Sequence, residues 1–170
     1  MKTIINTINA LLHTTDNHRS LIPRIIVGLV FISEGIQKFL FPDLVGAGRF
    51  DKIGFSNPEF LALFVASFEI FCGFLVLIGF VIRLTAIPLL IIMTTAIIST
   101  KIPILVNKGF WSMAHESRTD FAMFLLLVYL IIYGAGKWSI DNIFKRTRNK
   151  KLIWFQFSTS SWPSGISQSF

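Results

Sequence analysis

Four long apolar runs, separated by short polar or glycine-bearing breaks, organise the chain. Over Leu21–Phe41, Phe60–Phe80 and Leu84–Ile102 most positions are aliphatic or aromatic. That lacks the one-sided stripe of a helix half in water and predicts helices surrounded by hydrocarbon. About 20 residues at about 1.5 Å each cross a hydrocarbon layer about 30 Å thick. A fourth, shorter run, FAMFLLLVYLIIY, follows the capping-box pattern Ser117-Arg118-Thr119-Asp120 and stops at Gly134. Pro23 falls in an opening turn, where its missing N–H has no helical partner, and Pro88 lies near the next such start. Only a few residues, Gly79 and Arg83 among them, separate the second and third runs, so these form a tight antiparallel hairpin. The pattern predicts an all-α polytopic membrane protein, an antiparallel bundle of four transmembrane helices.

The two ends read differently. Residues 1–20 place Ile4, Ile5, Ile8, Leu11 and Leu12 at helical spacing between polar residues, the pattern of an amphipathic segment lying on the membrane surface. They lack the unbroken apolar core and small-x-small site of a cleavable signal, so the segment is expected to be retained. Residues 21–144 form the membrane domain, and 145–170 form a basic tail rich in Ser and aromatic residues. Between the first two runs, 42–59 is long enough to fold over one mouth of the bundle, with Phe50, Ile53 and Phe55 directed to the membrane.

Composition supports this reading. Of 170 residues, 53% are hydrophobic and 15% charged, against about 25% charged in an ordinary soluble domain. The net charge of +7 does not imply nucleic acid, because the basic residues sit at the ends of apolar runs and in the tail. Their asymmetry sets an orientation. Lys2, Arg19, Arg24, Arg83, Lys137 and five residues over 145–151 fall on one side, ten of the 16, and Lys38, Arg49, Lys52, Lys101, Lys108 and Arg118 on the other. The positive-inside rule then predicts a cell (inner or plasma) membrane protein with both termini cytoplasmic. Cys72 is the single cysteine, which excludes an intrachain disulfide, a dithiol centre or a thiolate metal cluster.

Charged side chains inside the spans are the informative ones, since each costs about 2.5–3.5 kcal/mol at mid-bilayer even on the lenient insertion scale. Glu34 and Lys38 are four residues apart, on one helix face. At about 1.5 Å per residue, Glu34 lies about 10 Å and Glu69 about 13 Å below the outer ends of their spans, so the three can meet at one level. Two carboxylates sharing one lysine in a low dielectric do not both stay ionised. A ligand site or proton-handling site there would take Gln37, Thr94, Thr95 and Ser99 as polar lining; the same charges equally suit a structural ion pair. His115 and Glu116, near Trp111, stand at the outer boundary, where the histidine is a candidate proton relay or a wetted interface residue. Asp120 is accounted for by the helix cap.

No metal site and no bis-histidine haem is expected, because no span carries a histidine pair. Gly46-Ala47-Gly48 and Gly134-Ala135-Gly136 are not nucleotide fingerprints, having no strand before them. The second reads as a helix stop, with Trp138 and Arg83 as interface anchors and Asp141 free to cap or to pair with Arg83.

These residues together resemble the DoxX family of small four-helix membrane proteins. The first run, RIIVGLVFISEGIQKF, carries Arg24, Gly28, Gly35 and Lys38 in the family's order. The hairpin FEIFCGFLVLIGFVIRLTAIPLL carries Glu69, Gly73, Gly79, Arg83 and Ala86, and GAGKWSID carries Gly134, Gly136, Trp138, Ser139 and Asp141. Ala135 stands where the family commonly has Pro. The resemblance implies the four-helix fold and association with quinone-linked sulfur oxidation or oxidative-stress complexes. The expectation is a quinone-associated or redox-linked subunit that binds a hydrophobic small molecule near the Glu/Lys cluster, with lipid, a second copy or a membrane-complex subunit as partners. A small-solute transporter or channel and a non-catalytic assembly subunit are the alternatives.

Overall fold

The computed structural model describes residues 18–145 and residue 147, and every regular element among them is helical. After a 3-10 turn, His18–Ser20, come α1 (Leu21–Leu40), α2 (Ala47–Ile53), α3 (Pro58–Ile78), α4 (Ile82–Glu116) and α5 (Arg118–Tyr133). A helical turn follows over 140–145. The amphipathic reading of residues 1–17 and most of the basic tail lie outside the described residues.

Among the described residues three helical stretches are long and apolar enough to cross a membrane: His18–Leu40, Pro58–Ile78 and Ile82–Glu116. In hydrocarbon a helix is the one open-chain form that satisfies all its own backbone groups, so such runs have no competing local structure. Their large side chains point outward, with Ile22, Leu29, Phe39, Phe60, Phe71 and Ile91 all exposed, as lipid-facing surfaces require. The 16 residues of α5 fall short of a span by themselves.

The helices approach most extensively at α1 against α3. Small residues permit it. A Cβ on Gly28 would meet Leu77 Cβ at 2.8 Å and Gly73 O at 3.0 Å, and a Cβ on Gly35 would meet Ile70 Cγ1 at 2.7 Å and Ala66 O at 2.8 Å. Gly73 closes the contact from the other side, against Ile32 and Gly28. Without a hydrophobic force between helices in lipid, close backbone approach supplies the dispersion contact that holds them.

Helix α4 differs from expectation. Its helical backbone continues through Pro103 to the neighbourhood of Gly109, whose φ of 81° and ψ of 173° break it. There the chain turns back. Lys101 Nζ lies 3.0 Å from Glu116 O, whereas a straight helix would separate residues fifteen apart by about 22 Å. The reversal thus occurs at Gly109, beyond the end of the third run expected at Ile102. The expected capping box at the start of α5 is also absent. Ser117 Oγ donates to Met113 O, and Asp120 pairs instead with Lys101 at 3.0 Å.

The dry core occupies the end of the bundle near the α3–α4 turn: Val27, Phe31, Cys72, Val76, Ile82, Ala86, Leu89, Leu127 and Leu130. The opposite half, beneath α2, is hollow.

Candidate functional site

At the filled end the GAGKWSID segment folds under the α3–α4 turn. Arg24 is buried, and its guanidinium donates to Val76 O, Leu77 O, Ala135 O and Trp138 O at 2.6–3.2 Å. Two of these acceptors are carbonyls in the last turn of α3, where Val76 O otherwise receives the capping N–H of Gly79. Gly79 is required beneath it, since a Cβ there would sit 2.6 Å from the guanidinium carbon and from Ser139 Cβ. Asp141 caps α4, accepting from Val81 N at 2.7 Å and Ile82 N at 3.4 Å, while its own N–H donates to Gly79 O. The cap holds Val81 at φ 47°, a costly backbone for a β-branched residue. Burial pushes the Asp141 carboxyl above the usual carboxylate range, opposed by those two backbone N–H groups and by Arg24. Of the two roles expected for Asp141, the cap or a pair with Arg83, these bonds make the cap, and the Arg83 guanidinium donates to Ile132 O. Ser139 Oγ donates to Gly136 O and accepts from Asn142 N. Every functional group of this segment that these bonds engage has a structural partner.

The hollow end contains a cavity of about 470 Å³ between α1, α3, α4 and α5, with α2 across it. Its walls are mainly aliphatic and aromatic, and the polar groups are few and placed. Lys38 Nζ is 2.6 Å from Glu69 Oε2 and 3.8 Å from Glu34 Oε2. The close α1–α3 contact at Gly35 delivers this geometry, because that glycine's missing Cβ would also touch Glu69 Cβ at 3.2 Å. Glu69 is 4% exposed, but the Glu34 side chain is 49% exposed, so the expected buried triad is a buried pair with a carboxylate at its rim. Opposite, Asp120 joins the lining together with Thr95, Ser99, Thr100 and Thr119.

Of the residues expected at the site, Glu34, Lys38, Glu69, Thr95 and Ser99 line the cavity. Three do not. Gln37 is turned to Ser33 Oγ, Thr94 bonds back to Leu90 O, and His115 Nε2 lies 2.9 Å from an Arg118 nitrogen. Phe50, Ile53 and Phe55 line the cavity instead of facing the membrane as expected. Sequence reasoning missed Asp120 and Arg49. Asp120 was absorbed by a capping pattern that its spacing fits equally well. The available signal was Lys101, a lone cation at the end of an apolar run and so in need of a partner.

Among the described residues no group of three or more His, Cys, Asp or Glu side chains could hold a metal ion. A helical membrane protein with a mostly apolar cavity and an ion pair in its wall is thus defined by the fold. The chain belongs to the DoxX family, whose profile matches residues 20–102. It is 47% identical over 137 residues to an uncharacterized membrane protein of Mycobacterium tuberculosis, covering 77% of this chain and 84% of that one. It is also 28% identical over 134 residues to CatD of Bacillus subtilis, which carries a provisional oxidoreductase name, covering 76% of this chain and 90% of the relative. No solved structure matches the chain significantly.

Proposed function

We propose that the protein is a quinone-associated or redox-linked membrane subunit, and that the cavity beneath α2 binds a hydrophobic small molecule beside Lys38 and Glu69. The observation that carries this reading is the cavity itself, whose volume of about 470 Å³ suits a bicyclic ring with part of a tail. An apolar chamber that keeps a Lys–Glu pair in its wall offers an isolated charged group to a ring oxygen while Phe31, Phe50 and Phe64 receive the ring. The provisional oxidoreductase name of CatD supports it further. We place the protein in the cytoplasmic membrane with both termini inside, α5 and its flanks serving as the fourth span, on the basic-residue asymmetry.

The test is retention of a naphthoquinone by the purified full chain in nanodiscs, followed by native mass spectrometry. Glu69→Gln and Glu34→Gln should change retention while Trp138→Ala leaves it intact. Equal retention in both Glu variants, with loss in Trp138→Ala, would move the functional centre to the GAGKWSID end.

One observation favours a second reading, a non-catalytic subunit of a membrane complex. Only 6% of the apolar stretch of α4 is buried within the chain, which leaves that helix a broad face for a partner or for lipid.

A further inference from the structure

The polar groups of the cavity are unequal in a way that selects a ligand. Hydroxyl groups on α4 have already donated their protons: Thr95 Oγ1 to Ile91 O at 2.9 Å, Ser99 Oγ to Thr95 O at 2.7 Å and Thr100 Oγ1 to Ala96 O at 2.6 Å. In hydrocarbon this back-bonding satisfies the hydroxyl hydrogen and leaves lone pairs directed outward. The carboxylates Glu34, Glu69 and Asp120 add further acceptors. Lys38 engages Glu69 through Oε2, and among the described residues no hydrogen bond reaches Glu69 Oε1.

Donors are scarce by comparison. Lys38 is committed to Glu69 at 2.6 Å and to Glu34 O at 3.5 Å, and Thr119 contributes one hydroxyl. Arg49 on α2 lines the cavity with an exposed side chain, so its guanidinium is the donor left at the mouth. Lys101, behind the wall, is held by Asp120 and Glu116 O. The formal charges nevertheless balance: Glu34, Glu69 and Asp120 against Lys38, Arg49 and Lys101. An acceptor-rich wall without net negative charge favours a neutral donor over a cation.

We infer that the cavity prefers the reduced, dihydroxy form of an aromatic ligand, a hydroquinone, over the corresponding quinone. This rests on the proposed ligand site and adds its selectivity. A hydroquinone carries two O–H donors, one for the Glu69 and Glu34 side and one for the Asp120, Thr100 and Ser99 side. A quinone carries acceptors only: one carbonyl oxygen can take the Arg49 donor at the mouth, and the other would be set against carboxylates and spent hydroxyls, leaving those groups desolvated and unpaired. Tighter binding of the reduced form draws the bound couple toward reduction, so its midpoint potential rises by about 30 mV for each tenfold preference in a two-electron couple.

The experiment compares three ligands of one shape on the full chain in nanodiscs, under anaerobic conditions: 1,4-dihydroxynaphthalene, 1,4-naphthoquinone and 1,4-dimethoxynaphthalene. The dihydroxy compound should bind at least tenfold more tightly than the other two, and Asp120→Leu should reduce that margin. The dimethoxy compound separates donation from ring electronics, since it keeps the electron-rich ring and loses both donors. Equal or tighter binding of the quinone, or dimethoxy binding equal to dihydroxy, would overturn the selectivity while leaving the ligand site standing. Failure of all three to bind would overturn the site itself and the selectivity with it. The wild-type comparison decides the matter even if the Asp120 variant does not fold.

Discussion

Lys38 Nζ on α1 lies 2.6 Å from Glu69 Oε2 on α3, with the two side chains 11% and 5% exposed. Such a pair offsets two desolvation costs with one attraction, so its net contribution is small while its disruption is severe. Lys38→Met should therefore destabilise the protein by about 3–5 kcal/mol, and Lys38→Met with Glu69→Leu by clearly less. Unfolding of the three proteins in mixed detergent micelles gives the ranking, and a double variant weaker than the single would contradict it.

Gly35 sets the distance across that pair. Gly35→Ala places a methyl group against Ile70 Cγ1 and the backbone oxygen of Ala66, neither of which is the far end of a flexible chain. A loss of about 1–3 kcal/mol is expected, together with weaker ligand retention as α1 moves off α3. Thermal unfolding and naphthoquinone retention measured on one preparation should fall together.

Asp141 and Arg24 carry no such link to the cavity. Asp141→Ala removes the cap from α4 and should cost about 1–2 kcal/mol. Asp141→Asn keeps an oxygen for Val81 N–H and should cost less. Arg24→Lys, though it preserves charge, cannot serve four carbonyl groups from one planar fork and should destabilise more than a conservative exchange ordinarily does. Ligand affinity of the folded fraction should be unchanged in all three.

Gly109 holds a backbone conformation open essentially to glycine, so Gly109→Ala should cost about 1–3 kcal/mol. The larger consequence is geometric. Cysteines at Lys101 and Glu116 in a Cys72→Ala background should be bridged by a short bifunctional thiol reagent when Gly109 is present and not when it is replaced.

Single cysteines at Ser56 and Asn149 in the same Cys72→Ala background test the orientation. Ser56 is exposed between α2 and α3, and an impermeant thiol reagent should label it from the outside and Asn149 from the inside of oriented vesicles. Labelling of both from one side would overturn this placement.

The sequence by itself determined the helices, because a run of twenty apolar residues in lipid has one way to satisfy its backbone. It also determined that Lys38 and Glu69 meet, since stranded charges in hydrocarbon must pair and their depths matched, while packing left Glu34 at the exposed rim. Helix ends agreed within two residues for α1 and α3. Tertiary structure alone decided where α4 turns back, because a glycine in a helical pattern reads the same whether it is crossed or used. It decided that Asp120 faces Lys101 rather than a cap, a choice between two partners at equal local cost. It also decided that Phe50, Ile53 and Phe55 line a cavity instead of meeting lipid. An apolar side chain is accepted by a protein interior and a bilayer alike, so only the packing of α2 over the bundle could choose between them.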